Sequence, residues 1–458
     1  MGLQQIVFFL ITAAVSYLAY RQFRQVYLAI MLGKPATISD RKGERWKNVL
    51  LVAFGQKKMF KNIIPAVFHL FIYVAFLFTQ VELIEILADG FLGKHRIFAP
   101  LLGGFYTVII NSIEILSLLA LIATFIFLYR RNLLKIPRFV KSDLDGWPRL
   151  DANLILLGEI LLVTGIFTMN SADGLLQDID PAHYPDTGTL AISSLVGQSL
   201  MEGLSQETLM VLERTGWWLH LFVVFGFILY LPHSKHFHIF LAFPNTYFAR
   251  LTPRGEMENM PAIMNEVKSM FGLPVENNGD AAGEAQLDFG AKDVFDLSWK
   301  NILDAYTCTE CGRCTAECPA NQTGKKLSPR KIMMDIRDRA AEVAKNIQSG
   351  DESFFNGQKP DGSCDFYKTN YQDGKSLFDY ITREEIHACT TCNACVEACP
   401  VLINPLEPIL ELRRYEILSE SAGPPDWLPM FTAMENGGCV WQMPEERESW
   451  RKDMISEL

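Results

Sequence analysis

Eight of the ten cysteines fall in two short runs, and their spacing specifies a chemistry. CTECGRCTAECP supplies Cys308, Cys311, Cys314, Cys318 and Pro319, and CTTCNACVEACP supplies Cys389, Cys392, Cys395, Cys399 and Pro400. Both fit C-x2-C-x2-C-x3-C-P, the run that holds [4Fe–4S] clusters. Three close thiolates wrap one corner of a cubane while backbone N–H groups point at its sulfides. The fourth lies too far along the following turn for that cluster and ligates the other one. The expected sets are Cys308, Cys311 and Cys314 with Cys399, and Cys389, Cys392 and Cys395 with Cys318. A lone C-x2-C more often marks zinc, but two full runs, each closed by proline, argue for clusters. No cysteine precedes Cys308. Cysteines this close in sequence serve metals rather than disulfides, which points to a reducing compartment. Cys364 and Cys439 fit neither run and read as ordinary thiols or partner contacts.

Histidine is the second residue type with chemistry to offer, because several lie in or beside long apolar stretches. An ionisable residue at membrane depth is a functional hypothesis by default. The second stretch carries His69; the fifth carries His220, His233, His236 and His238. On one unbroken helix His220 and His238 share a face after five turns, about 27 Å apart, a spacing that suits two b-haems near opposite membrane surfaces. His233 and His236 turn away from that face and read as helix-bridging or interfacial groups. His69 lies about 12 Å in from the start of its helix and meets His238 at matching depth, which predicts an inner haem b. Near the outer level the second helix offers Gln80 and Thr79, and neither replaces imidazole. His220 is left with three options: a five-coordinate haem, a ligand from another helix, or no haem. Asn111, Ser112, Glu82, Glu85, Glu114 and Glu159 also lie at membrane depth. Quinone chemistry moves protons with electrons and needs such groups, but taken singly each reads first as a helix-packing hydrogen bond or an interfacial residue.

These residues require particular elements to hold them. The 458 residues are 49% apolar and 21% charged, below the usual quarter for soluble domains. Five stretches, roughly 6–20 (extending towards 32), 63–87, 105–129, 154–169 and 217–243, approach the ~20 residues a bilayer-crossing helix needs. Residues 21–61 hold ten bases against two acids, and residues 130–149 hold six against two. The 171–214 loop has one base beside seven acids. The positive-inside rule then puts the first two loops in the cytoplasm, the N-terminus outside and everything after the fifth helix in the cytoplasm. MGLQQIVFF lacks a positive n-region and reads as an uncleaved anchor. A net charge of −10 argues against nucleic-acid binding.

The polar half reads as helical. Ser328-Pro329 opens a helix through KIMMDIRDRAAEVAKNI, Thr382 and Glu385 form a capping box leading into the second run, and ILELRRYEILSE follows it. The fold class is all-α: a five-helix transmembrane haem-b bundle (residues 1–245), a linker (246–290), an α-helical dicluster ferredoxin domain (291–415) and a C-terminal partner-docking tail (416–458).

With these motifs in place, a family resemblance is visible. The stretch from FGAKDVFDLSWKNILDAYTCTECGRC to LSPRKIMMDIRD, with CTTCNACVEACPVLINPLEPILELRR, resembles the iron–sulfur subunit of heterodisulfide reductase and its bacterial relatives. The tail, with Trp441, Arg447 and Trp450, is similar to the linker before their cysteine-rich CCG domain. LPHSKHFHIF resembles the cytochrome b gamma subunit of respiratory nitrate reductase and the membrane subunit of heterodisulfide reductase. The resemblance implies a quinone-reactive, haem-b membrane anchor fused to a dicluster ferredoxin. It puts His69, His220 and His238 on haem-ligating positions; the fourth such histidine, on the second helix, is absent. The CCG motifs are absent too. The implied cytoplasmic partner is a separate CCG protein or a flavoprotein, such as the electron-transfer flavoprotein of an acyl-CoA dehydrogenase, and it carries the terminal substrate site.

The leading expectation is a quinone-linked oxidoreductase subunit of the inner membrane. It passes electrons between a cytoplasmic redox partner and quinone through two [4Fe–4S] clusters and haem b. A membrane-bound redox sensor or scaffold without quinone turnover needs an output domain, and none is visible. A transporter predicts internal repeats and broken helices, and neither is seen.

Overall fold

Five segments have enough continuous apolar sequence to form helices of membrane-crossing length in the computed structural model. They are α1 (Leu3–Ile30), α2 (Ile63–Leu92), α3 (Gly104–Asn132), α4 (Trp147–Ile179) and α5 (Gln206–Tyr230). The structure describes residues 2–274, 289–355, 358, 364–440 and 449–456. Large apolar side chains such as Leu10, Phe105, Ile122 and Phe222 point outward from the bundle. That arrangement is stable only where the surroundings are themselves apolar, and helices satisfy their backbone groups internally there.

α4 and α5 pack closely through small residues. A Cβ on Gly216 would sit 2.6 Å from the backbone N of Met169, and one on Gly165 would sit 3.0 Å from the backbone N of His220. Backbone-to-backbone approach of this kind is how helices associate when lipid removes the hydrophobic drive.

The fifth apolar stretch differs from expectation. It is not one helix to residue 243. α5 ends at Tyr230, two 3-10 turns follow, and α6 (His238–Tyr247) begins afresh. Pro232 is the physical reason: it has no N–H to give and its ring crowds the preceding turn. His220 and His238 therefore sit on different helices, and the shared-face argument for them lapses.

Among the described residues the remainder is also helical, with one isolated β-bridge between Lys34 and Ser298 and no strand. α7 (Trp299–Thr307) runs into the first cysteine run, capped by Ser298, whose hydroxyl accepts the Asn301 N–H at 3.2 Å. α8 (Arg313–Glu317) carries Cys314. α9 (Pro329–Ser349) fills the insert from its Ser328 cap. Thr382 and Glu385 make the reciprocal capping contacts, 3.3 Å and 2.8 Å, just before the second run. α10 (Ala394–Ala398) carries Cys395, and α11 (Leu406–Arg414) closes the core. Within the stretch read as a linker, residues Pro261–Met270 form a helix. Residues 275–288 of that stretch, with Trp441 and Arg447 of the tail, lie outside the described residues.

The cysteine-bearing part sits against one end of the bundle. Lys34 accepts the Trp299 N–H and donates to Leu297, and Trp299 Nε1 donates to the Ala36 carbonyl at 2.9 Å. Arg330, fully buried, donates to Asp143 at 2.5 Å and to the Arg138 carbonyl at 2.7 Å. Asn245 of α6 donates to the Val401 carbonyl at 3.0 Å.

Candidate functional site: two cysteine loops beneath paired histidines

The two cysteine runs have the same backbone. Glu310 (φ 54°) and Gly312 (φ 70°) in the first match Thr391 (φ 56°) and Asn393 (φ 61°) in the second. Left-handed residues at alternate positions coil the loop and turn successive N–H groups inward, the concave arrangement that receives anions. Thr391 N–H points at Cys389 Sγ (3.4 Å), and Ile403 N–H at Cys399 Sγ (3.3 Å). Gly312 is required twice over, because a Cβ there would also lie 2.6 Å from Arg330 Nη1.

The thiols fall into two neighbourhoods. Cys318, Cys389, Cys392 and Cys395 line one small pocket, together with Pro319. Burial pushes the Cys395 thiol up to about 12, and Cys389 and Cys318 beside it add to the effect. Burial likewise lifts Cys399 to about 12, with Cys311 and Cys308 as its thiol neighbours. Burial pushes Cys308 up to about 12, against the opposing effect of the Glu310 backbone N–H. Sets of four thiols, each with amides aimed at sulfur, are a donor set that fits a [4Fe–4S] cube, whose iron supplies the positive charge that buried thiolates need. Among the described residues no three such side chains converge closely enough for a single metal ion. Cys392 is exposed while Cys308, Cys318, Cys395 and Cys399 are buried. Cys439 is half-buried, and the Cys364 side chain lies outside the described residues.

The structure brings His69 and His238 together: their ring centres are 6.5 Å apart. His69 Nδ1 faces Gln56 Oε1 at 3.1 Å, and His238 Nδ1 faces the Lys235 carbonyl at 3.0 Å. A carbonyl oxygen only accepts, so Nδ1 of His238 carries the proton and its Nε2 presents a lone pair. Metal-bound histidines are oriented in this way by their other nitrogen. Two imidazoles at a 6.5 Å ring separation are a donor pair that could hold one metal-centred group between them.

His236 lies 5.9 Å from His238 and edge-on to Phe227, and its Nδ1 is buried without a partner. His233 is exposed. His220 is apart from all of these, buried on α5 with Nδ1 3.4 Å from the Leu162 carbonyl of α4. Thr79 and Gln80 donate back to the Phe76 carbonyl of their own helix.

Several positioning residues escape sequence reasoning. Lys235 is one. Its Nζ contacts Glu310 in the first cysteine loop and donates to the Pro148 carbonyl at 2.6 Å, while its own carbonyl holds His238. Glu310 also accepts from Arg337 at 2.9 Å. Burial alone would raise the Glu310 carboxyl; Lys235 and Arg337 outweigh it and hold it below the usual range. Arg313, between Cys311 and Cys314, donates to the Lys58 carbonyl at 3.2 Å near His69. The signal in the sequence was proximity: Lys235 stands between His233 and His238, and Arg313 between two cysteines.

Comparison with known proteins agrees with the cysteine geometry. Residues 307–403 match the 4Fe-4S dicluster domain family. The chain is 27% identical over 98% of its length to the probable iron-sulfur-binding oxidoreductase FadF of Bacillus subtilis, covering 61% of that protein. It is 26% identical over 88% of its length to the EtfAB:quinone oxidoreductase of Syntrophomonas wolfei, covering 53% of that protein. A probable membrane-anchored ferredoxin of Chromohalobacter salexigens is 30% identical over 37% of this chain and a quarter of its own length (25%). The chain thus spans between about half and three-fifths of its first two relatives. No solved structure matches. The chain carries a domain of the two-[4Fe–4S] class, and electron transfer is the role its motifs and relatives share.

Proposed function

We propose that this chain conducts electrons between a cytoplasmic redox partner and membrane quinone, with two [4Fe–4S] clusters on the crossed cysteine sets and a haem b between His69 and His238. The chain's cysteine end then faces the cytoplasm and α1–α5 cross the inner membrane. Bound there, these groups supply one-electron carriers in series, and quinone takes or gives two electrons with two protons.

The observation that carries the reading is the link through Lys235. One residue contacts the first cysteine loop through Glu310 and holds His238 by its carbonyl. A chain that used its cysteines and its histidines for unrelated ends would have no reason to couple them so directly. The exposure of Cys392 supports an electron path in the order partner, second set, first set, histidine pair. Gln56 and Lys235 orient the two imidazoles, and the buried Glu310–Arg337–Lys235 group fixes the distance between loop and helix.

The partner is a flavoprotein or CCG-domain protein, with an electron-transfer flavoprotein as the favoured example; the name of the Syntrophomonas relative supports this. For His220, beside the Leu162 carbonyl, a five-coordinate haem, a ligand from another helix and no haem all stay open. In the purified full chain, dithionite should give a b-type absorption band and a paramagnetic cluster signal. A soluble quinone analogue should then reoxidise both. Cluster signals that quinone leaves unchanged would reject the reading.

A further inference from the structure

We propose that Glu82, Glu85 and Asp89 form a proton ladder joining membrane depth to a pocket at the end of the bundle away from the cysteines, so that quinone exchanges its protons at that face. This rests on the quinone reading above and adds the side and the carriers of the protons.

The three acids stand at i, i+3 and i+7 on α2, one face of the helix, and all are buried. The upper two rungs are satisfied. Asp89 accepts the N–H groups of Arg96 and Ile97 at 2.7 and 3.0 Å, and lines a surface pocket with His95, Asp180, His183 and Arg214. Glu85 accepts from Tyr106 at 2.6 Å and from the Phe98 N–H at 2.8 Å. Arg96 bridges the group, donating to Tyr106 and Asp173 (3.1 Å each) and to Asn170 (2.6 Å). His95 and Asp173 then meet at 2.6 Å beside the pocket.

The lowest rung differs. Glu82 is 1% exposed, and neither of its carboxyl oxygens has a partner. The charged groups facing it are Arg96 from the following loop, Glu85 of its own helix and Glu114 of α3. Glu114 is committed elsewhere, accepting from Asn170 and from the Ile192 and Ser193 N–H groups. A buried carboxyl without a partner is expensive and gives the fold nothing that leucine would not. It is explained by something the carboxyl must pass on.

The chemistry balances as follows. A quinone takes two electrons, delivered singly from a reduced flavoprotein-class partner through the cysteine-held carriers, and two protons. Each proton leaves the Glu82 O–H for a quinone oxygen. The carboxylate regains it from pocket water by way of Asp89 and Glu85. Quinol oxidation runs the same steps backwards.

The test uses the purified full chain, reduced with dithionite that is then removed by desalting, and a soluble menaquinone analogue added afterwards. Wild type should show a redox-linked infrared carboxyl band that shifts in deuterium oxide. Glu82→Gln should lose that band and slow quinone reduction at least tenfold, with cluster and haem spectra unchanged. Asp89→Asn, at the pocket, should slow turnover, and a small weak acid such as formate should restore it, which a merely structural role would not allow. If Glu82→Gln keeps both band and rate, or Asp89→Asn runs at the wild-type rate, the ladder is wrong. If wild type with full clusters never reduces the analogue, the quinone reading itself falls.

Discussion

Lys235 holds the imidazole of His238 with its carbonyl at 3.0 Å while its side-chain nitrogen contacts Glu310, two residues from Cys308. One residue thus sets the orientation of the His238 imidazole and the seating of a cysteine loop. Replacing Lys235 by Met removes the ammonium and leaves the carbonyl. Glu310 keeps Arg337 but loses a buried cation, which costs about 3–5 kcal/mol when one member of such a pair is removed. Thermal unfolding should show that loss. Rapid-mixing spectroscopy should show slower haem reduction by the clusters, with His238 ligation kept.

His238→Ala removes one side of the pair set 6.5 Å apart. The b-type band of the inner haem should disappear while both cluster signals survive. An unchanged haem spectrum would refute the pairing.

Cys311→Ala takes a ligand from the first set only. Total iron should fall from the roughly eight atoms of two cubes towards four, without loss of haem. Iron analysis and electron paramagnetic resonance check this; full iron content would mean the ligand sets are wrong.

Arg339 is fully buried in α9 and pairs with Asp293 (2.6 Å) and Asp373 (2.5 Å). It ties the insert between the two runs to the segment before α7. Arg339→Leu strands two carboxylates and should destabilise the cysteine domain by about 3–5 kcal/mol. Denaturant unfolding followed by cluster absorbance is the measurement, and a change under about 1 kcal/mol would contradict the role assigned to the pair.

Much of this was legible in the chain. The cysteine spacing carried the cluster motif, because three thiols around a cube demand two-residue gaps. The apolar stretches showed as helices because lipid leaves the backbone no other partner. Ser328 and Thr382 marked helix starts through their side-chain oxygens. The fifth stretch misled: its apolar run continues past Tyr230, yet Pro232 breaks it, and periodicity across a proline carries no face information. His69 and His238 nevertheless meet, since the turns after Pro232 return His238 towards α2. Lys235 and Gln56 were less legible. Their significance lies in contacts between elements distant in sequence, which residue spacing along one element does not encode.

The central claim is a haem b held by His69 and His238 in a chain that also holds two clusters. Pyridine haemochrome analysis of purified wild type and His69→Ala, with iron and sulfide measured on the same samples, tests it most directly. The account predicts at least one haem b per chain in wild type, its loss in the variant, and the same cluster iron in both. A wild-type preparation rich in clusters but free of haem, or a variant with undiminished haem, would contradict it.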